Sequence, residues 1–142
     1  MTHIVFMENR SSMSDAVFAR IRRANMRLDY WREQDEAGRQ ALAAQAQYLI
    51  VGATPVTAGL MASMPQLKMV LRCGTGYDNV DLAAARAQGV MVANAAGANA
   101  NSVAEMTIGH ILALYHKIPF LDRRLRAGHW DMFMHRGNMF EM

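Results

Sequence analysis

Cysteine is nearly absent from this chain of 142 residues, in which Cys73 is the only one. A single cysteine excludes an internal disulfide and favours a reducing compartment, so we expect a cytoplasmic protein. No apolar run reaches the ~18 residues that a membrane-spanning helix needs, and the N-terminus is charged too early for a signal peptide. These absences favour a folded protein that is neither secreted nor embedded in a membrane.

Strong charge and metal-binding patterns are also missing. The net charge is +3, and the basic residues gather in two short clusters, at 20–23 and 123–126. We interpret both clusters as solvated helix faces, because nucleic-acid binding requires a recognisable motif or basic residues interleaved with aromatics. His110 and His116 are six positions apart rather than the three or four that place two ligands on one helix face. We therefore expect no nucleic-acid partner and no metal.

What the sequence does contain is an alternation of apolar runs and helical patterns. Most of the runs are apolar rather than alternating between polar and apolar residues, which is typical of parallel strands buried on both faces. We therefore predict an α/β fold, a parallel five-stranded sheet with helices on both faces. The predicted strands are 3–7, 26–31 (an edge strand), 47–51, 67–72 and 90–93, and the predicted helices are 16–25, 33–46, 57–64 and 81–88.

The last third of the chain follows a different pattern. Ser102 and Glu105 form a capping-box motif ahead of an apolar helical segment, which predicts a helix from Ser102 to residue 127, kinked or split by Pro119. Its apolar residues surround the helix, so several sides need cover. We predict a sheet domain at 1–100, followed at 101–142 by a helix and an apolar tail that pack against a partner or another domain.

The stretch from Leu67 to Glu105 contains two loops, each following a predicted strand. Ligands of open α/β sheets bind beyond the carboxyl ends of the strands, so loops 73–76 and 94–102 predict one site. The glycines of Cys73-Gly74-Thr75-Gly76 would let backbone amides form an anion nest, and Cys73 would be a small packed residue lining the loop. Taken singly, a tight turn and a capped loop without ligand are equally good interpretations. Neither loop is a dinucleotide fingerprint or a P-loop.

Three segments together resemble the D-isomer-specific 2-hydroxyacid dehydrogenases, especially those of the phosphoglycerate dehydrogenase type. They are Arg72–Asp81 (RCGTGYDNVD), Gly89–Asn94 (GVMVAN) and Asn99–Glu105 (NANSVAE). The resemblance implies a flavodoxin-like substrate-binding domain. It also implies a Rossmann domain that binds NAD or NADP and carries the catalytic residues, outside these 142 residues. We therefore expect no catalytic residue in the chain itself.

The resemblance also assigns site residues. It implies substrate binding by Cys73, Gly74, Thr75 and Gly76, and cofactor contacts from Thr75, Asn99 and Ala100. The helix from Ser102 would form a homodimer. Relatives of the phosphoglycerate type carry an Arg after the third strand, whereas 51–54 reads Val-Gly-Ala-Thr, which argues against phosphoglycerate as the substrate.

We therefore expect the substrate-binding half of an NAD(P)-dependent oxidoreductase that acts on the CH–OH group of a small 2-hydroxy or 2-oxo acid. This half should be inactive alone. The alternative is a non-enzymatic dimerisation or binding module derived from the same family, similar to its corepressor relatives.

Overall fold

The first compact unit of the chain, Met1–Ala98, is built on one parallel sheet. The structure, a computed structural model, describes residues 1–130, 134 and 137. The strands run in the order β2-β1-β3-β4-β5, and every neighbouring pair is parallel. They are β1 Thr2–Phe6, β2 Met26–Tyr30, β3 Tyr48–Val51, β4 Met69–Arg72 and β5 Met91–Asn94. The predicted α/β fold with a five-stranded parallel sheet is confirmed.

Four α-helices alternate with these strands. They are α1 Ser12–Ile21, α2 Glu36–Gln45, α3 Ala58–Ala62 and α4 Leu82–Ala87, and a 3-10 turn at Trp31–Glu33 precedes α2. Capping fixes their ends: the Asp81 side chain accepts a hydrogen bond from Ala84 N (2.9 Å), and Gly89 follows α4 with a φ of +68°. Both features of α4 were predicted. The first helix ends at Ile21, four residues before the predicted boundary at residue 25.

The core lies where the helices cover the central strands. The side chains of Val5, Leu49, Val51 and Val70 have no exposed surface, and Met61 of α3 is equally enclosed. At about 1.5–3 kcal/mol per fully buried aliphatic side chain, this cluster is the main stabilising element of the sheet unit. It also fixes where each strand ends, and therefore where the loops beyond the strands begin.

The two edges of the sheet differ in character. At β2, the Asp29 carboxylate accepts hydrogen bonds from His3 Nε2 (2.6 Å) and lies 2.7 Å from Arg27 Nε. This edge position was predicted, since Arg27 and Asp29 are charged residues within the strand. At the other edge, β5 reads Met-Val-Ala-Asn, has no charged residue, and leaves Met91 62% exposed.

The second unit begins at Asn99 and is helical. Its helices are α5 Ala100–Tyr115 and α6 Ile118–Arg126. The predicted start at Ser102 is wrong, because Asn99 is the N-cap and Ser102 lies in the first turn. Ala100 and Asn101 take helical conformation, and Val103 N donates to Asn99 O (2.9 Å), so the capping position lies three residues before the capping-box motif.

The predicted split of this segment is confirmed. Lys117 separates α5 from α6 and adopts a left-handed conformation with φ +53°. Pro119 lies in the first turn of α6, where its missing N–H group is not needed. Neither helix buries a side chain, and Leu114 of α5 is 75% exposed.

The apolar tail predicted at 129–142 lies mostly outside the described residues. Among the described helices, none combines the length and the apolar character that crossing a bilayer requires.

Candidate functional site

The predicted substrate loop, Cys73–Gly76, lies beyond the carboxyl end of β4 and is tied to the end of β5. The Asn94 side-chain amide donates to Thr75 O (2.7 Å). Ala95 N lies 3.1 Å from both Arg72 O and Gly74 O and donates to them. The loop after β4 and the start of the loop after β5 therefore form one hydrogen-bonded surface, as the parallel order of the two strands predicted.

Asn99 and Ala100, the residues predicted to contact a cofactor, lie in the helical unit rather than in the sheet unit. Asn99 immediately precedes α5, and its side chain does not cap the helix. Both residues are exposed. They lie at the N-terminal end of α5, and their contact with a cofactor stays a prediction.

Arg72, the last residue of β4, is a candidate binding residue that the sequence-based assignment omitted. Its Nε atom is buried and has no hydrogen-bond partner among the residues that the structure describes. A buried guanidinium nitrogen without a partner is costly, because it has lost water without gaining an acceptor. An acceptor supplied by a ligand would relieve that cost. An Arg that ends a strand two residues before Gly74 was the available sequence signal.

The Arg72 side chain also explains the first glycine of the loop. A Cβ atom at position 74 would overlap Arg72 Nη1, so the guanidinium lies directly against the Gly74 backbone. Neither Gly74 nor Gly76 has a positive φ. The loop therefore lacks the left-handed glycine conformation of a typical backbone nest, and a larger residue at position 74 would require the flexible end of the Arg72 side chain to move.

Cys73 differs from the packed residue that was predicted, because it is exposed. Its sulfur is nevertheless partly shielded: burial raises the pKa of the thiol, and Glu8 adds to the increase while Arg72 opposes it. The backbone N–H of Cys73 donates to Val51 O (2.8 Å), which brings the loop after β4 beside the loop after β3. A thiol with a raised pKa is mostly protonated at neutral pH and is a poor nucleophile.

Glu8, which follows β1, binds the loop after β3. One carboxylate oxygen, Oε1, accepts hydrogen bonds from Gly52 N (2.9 Å) and Thr54 N (2.8 Å). The other, Oε2, lies 3.8 Å from Arg32 Nη2. Burial raises the pKa of the Glu8 carboxyl, but the Thr54 and Gly52 hydrogen bonds and the Arg32 charge outweigh it, and the net pKa is lowered. Glu8 is therefore an ionised, hydrogen-bonded carboxylate at neutral pH.

Two further side chains of this edge, Arg32 and Asn79, donate within the sheet unit. Arg32 Nε donates to Met7 O (3.2 Å), and Arg32 Nη2 donates to Thr54 Oγ1 (3.2 Å). The Asn79 side-chain amide donates to Gly52 O (3.1 Å) and Thr54 O (2.9 Å). These contacts fix the 52–54 loop from both sides. The carboxyl ends of β2, β1, β3 and β4, which we call the carboxyl edge of the sheet, consequently form one connected polar surface.

No group of three His, Cys, Asp or Glu side chains converges closely enough to hold a metal ion within the part of the chain that the structure describes. The buried Nε of Arg72 is instead a donor that an anion could occupy.

Comparison with curated proteins shows two kinds of relative. The chain is 35% identical over 95 residues to a glyoxylate/hydroxypyruvate reductase of Arabidopsis thaliana. This alignment covers 67% of the chain and 29% of that protein. It is 45% identical over 82 residues to D-3-phosphoglycerate dehydrogenase of Mycobacterium tuberculosis, and this alignment covers 58% of the chain and 16% of that protein. The chain therefore spans less than a third of the length of these relatives.

Solved structures share the fold. The NAD complex of an NAD-dependent formate dehydrogenase from Staphylococcus aureus superposes with a TM-score of 0.77 at 19% identity, over 99% of this chain and 46% of that one. D-lactate dehydrogenase of Aquifex aeolicus, complexed with NAD and lactic acid, gives a TM-score of 0.74 at 21% identity, over 87% and 37% of the two chains.

The family model for the catalytic domain of D-isomer-specific 2-hydroxyacid dehydrogenases matches residues 4–139, nearly the whole chain. This match confirms the resemblance inferred from the loop motifs. The chain belongs to the D-isomer-specific 2-hydroxyacid dehydrogenase family and corresponds to its catalytic domain.

Proposed function

We propose that this chain is the substrate-binding part of an NAD(P)-dependent D-2-hydroxyacid dehydrogenase. Such an enzyme moves a hydride between C2 of a 2-hydroxy acid and nicotinamide. Family membership supports the reaction class, and the relatives named for NAD, lactic acid and hydroxypyruvate support the cofactor and the kind of acid. The observation that carries the proposal is the buried, unpartnered Nε of Arg72 beside the Cys73–Gly76 loop.

In this proposal the Cys73–Gly76 loop binds the substrate carboxylate. Arg72 donates a charge-assisted hydrogen bond from its buried edge, and the backbone N–H groups of Thr75 and Gly76 supply further donors. Asn94 holds the loop in place through its hydrogen bond to Thr75 O. The carboxylate is thus oriented, which also restricts the position of C2 next to it.

The nicotinamide cofactor, NAD or NADP, would be held mostly by residues outside these 142. The sequence has no G-x-G-x-x-G turn to bind a pyrophosphate. Thr75, Asn99 and Ala100 are the proposed contacts from this chain, because they match the motif positions at which the family meets its cofactor. When bound, the nicotinamide exchanges the hydride, while this chain contributes substrate binding and orientation. The isolated chain should therefore be inactive.

Titration of the ¹⁵N-labelled chain with D-lactate, followed by NMR, tests this proposal. We expect the amide resonances of residues 73–76 to shift, and we expect Arg72→Gln to weaken binding by about tenfold or more, because a charge-assisted hydrogen bond is lost. Arg86→Gln, on the last turn of α4, makes the same charge change away from the loop and should bind as the wild type does. Unshifted resonances at 73–76, or turnover by the isolated chain with NAD, would contradict the proposal.

A second candidate function is a dimerisation or binding module, and the exposed apolar surface of α5 favours it. Val103, Met106, Ile108 and Leu114 are each about half or more exposed. In either function we propose that α5 forms a homodimer. Sedimentation combined with the D-lactate titration separates the candidates, since an enzyme part should dimerise and bind the acid, whereas a pure module should only dimerise.

A further inference from the structure

The charges along the carboxyl edge of the sheet are unevenly distributed. At the β4 end, Arg72 has a buried nitrogen without a partner. At the β1 and β3 ends, the carboxylate of Glu8 is only a quarter exposed and is paired with Arg32. Residues 51–54 carry no cation. The edge therefore offers an unsatisfied cationic group on one side and a fixed anion on the other.

The fixed anion already uses the donors that a second anionic group would need. The N–H groups of Gly52 and Thr54 both point to Glu8 Oε1, and Arg32 is engaged by Met7 O, Thr54 Oγ1 and Glu8. Two convergent backbone N–H groups beside a guanidinium are a common arrangement for binding phosphate. Here that arrangement is filled by a side chain of the same domain.

Glu8 also lies close to the proposed carboxylate loop. The 52–54 loop that holds Glu8 follows Val51, whose carbonyl oxygen accepts the Cys73 N–H bond. The Glu8 charge contributes to the raised pKa of the Cys73 thiol. A phosphate ester bound at 73–76 and extending toward β3 would consequently meet a like charge in a partly desolvated edge, where repulsion is weakly screened.

We propose that Glu8 is a specificity-determining residue that excludes phosphorylated acids, so that the substrate class is an unphosphorylated 2-hydroxy acid. This proposal rests on the proposed function, because it names the substrate of the same site. A small monoanionic acid presents one carboxylate to Arg72 and nothing to Glu8. A phosphorylated acid presents two anionic groups to an edge that has one unsatisfied cation.

The test compares D-glycerate with 3-phospho-D-glycerate by NMR titration of the full ¹⁵N-labelled chain. The wild type should bind D-glycerate more tightly than its phosphate ester. Glu8→Gln, which keeps the side-chain shape and one acceptor oxygen, should improve binding of the ester by about tenfold and leave D-glycerate within about twofold. Glu36→Gln, on the exposed first turn of α2, makes the same charge change away from the edge and should alter neither ligand.

Inorganic phosphate provides a readout that does not depend on the carboxylate loop. Phosphate should shift the Gly52 and Thr54 amide resonances in Glu8→Ala, which frees both N–H groups, but not in the wild type, where Glu8 Oε1 accepts their hydrogen bonds. Glu8→Ser replaces the alanine variant if that variant loses its dispersed spectrum. The proposal is overturned if phosphate leaves those resonances unmoved in the folded variant, or if the wild type prefers the phosphate ester. If neither acid shifts residues 73–76 while phosphate still binds the variant, the proposed function fails and the Glu8 effect stands.

Discussion

The sheet unit buries many of its apolar side chains, whereas the helical unit leaves its apolar side chains exposed. In Met1–Ala98 the central strands and their helices enclose side chains such as Leu49 completely. In α5 and α6 no side chain is buried, although α5 is strongly apolar. Stability of the first unit should therefore come from within the chain, whereas stability of the second should depend on a partner.

The largest effect should come from the core of the sheet. Leu49→Ala removes a fully enclosed side chain from β3, and we expect it to lower the free energy of unfolding by about 2–5 kcal/mol. Leu114→Ala makes the same truncation at a 75% exposed position and should cost less than about 0.5 kcal/mol in the monomer. Urea denaturation at low protein concentration measures both. Equal losses in the two variants would show that α5 is covered within the chain.

Association should respond to the helices instead. Met106→Glu places a charge on the exposed apolar surface of α5, where Met106 is 63% exposed, and should raise the dimer dissociation constant by about tenfold or more. Sedimentation equilibrium gives this constant. Glu105→Gln, the neighbouring position on the same helix, controls for changes in charge. If the wild type is a monomer at micromolar concentration, the proposal that α5 forms a dimer is wrong.

A smaller effect should follow loss of a helix cap in the sheet unit. Asp81→Ala deletes the acceptor for Ala84 N and should cost about 1 kcal/mol of stability. Asp81→Asn retains an oxygen acceptor and should lose much less. Thermal denaturation of the pair isolates the cap, and an equal loss in both variants would point to the charge rather than to the hydrogen bond.

The smallest effect should appear as a pH dependence. Because the pKa of Glu8 is lower in the folded chain than in the unfolded chain, its contribution to stability is complete above the unfolded pKa of about 4.3 and is lost as the pH falls through the folded pKa. Glu8→Gln should therefore flatten the decline in stability below about pH 5. Denaturant titrations between neutral and acidic pH follow it, with Glu36→Gln as the control for net charge. A decline as steep in Glu8→Gln as in the wild type would exclude this role for Glu8.

Local signals were sufficient for the sheet and for parts of the site. Apolar runs predicted β1, β3, β4 and β5, because burial on both faces leaves no polar alternation. Strand β2 reads Met-Arg-Leu-Asp-Tyr, and its charged residues marked it as an edge strand. Asp81 and Gly89 marked α4, because a cap and a left-handed glycine act within a few residues. The pairing of the loops after β4 and β5 followed from the order of parallel strands.

The remaining features depend on contacts between distant positions. Glu8 binds amides 44 and 46 positions away, and no local pattern indicates which carboxylate will reach them. The unsatisfied state of Arg72 likewise depends on what surrounds its side chain. The N-cap at Asn99 was missed for another reason. A capping-box motif permits a start at Ser102, but Ala100 favours the helical conformation and Asn101 tolerates it, so the helix extends further toward the N-terminus.

The unequal edges of the sheet have a consequence for self-association. An open strand edge can pair with another sheet through its free backbone groups, and charges on that strand discourage such pairing. Strand β2 carries Arg27 and Asp29, whereas β5 carries no charge and exposes Met91. Unwanted strand addition should therefore start at β5. A lysine at position 91 would give β5 the protection that β2 already has.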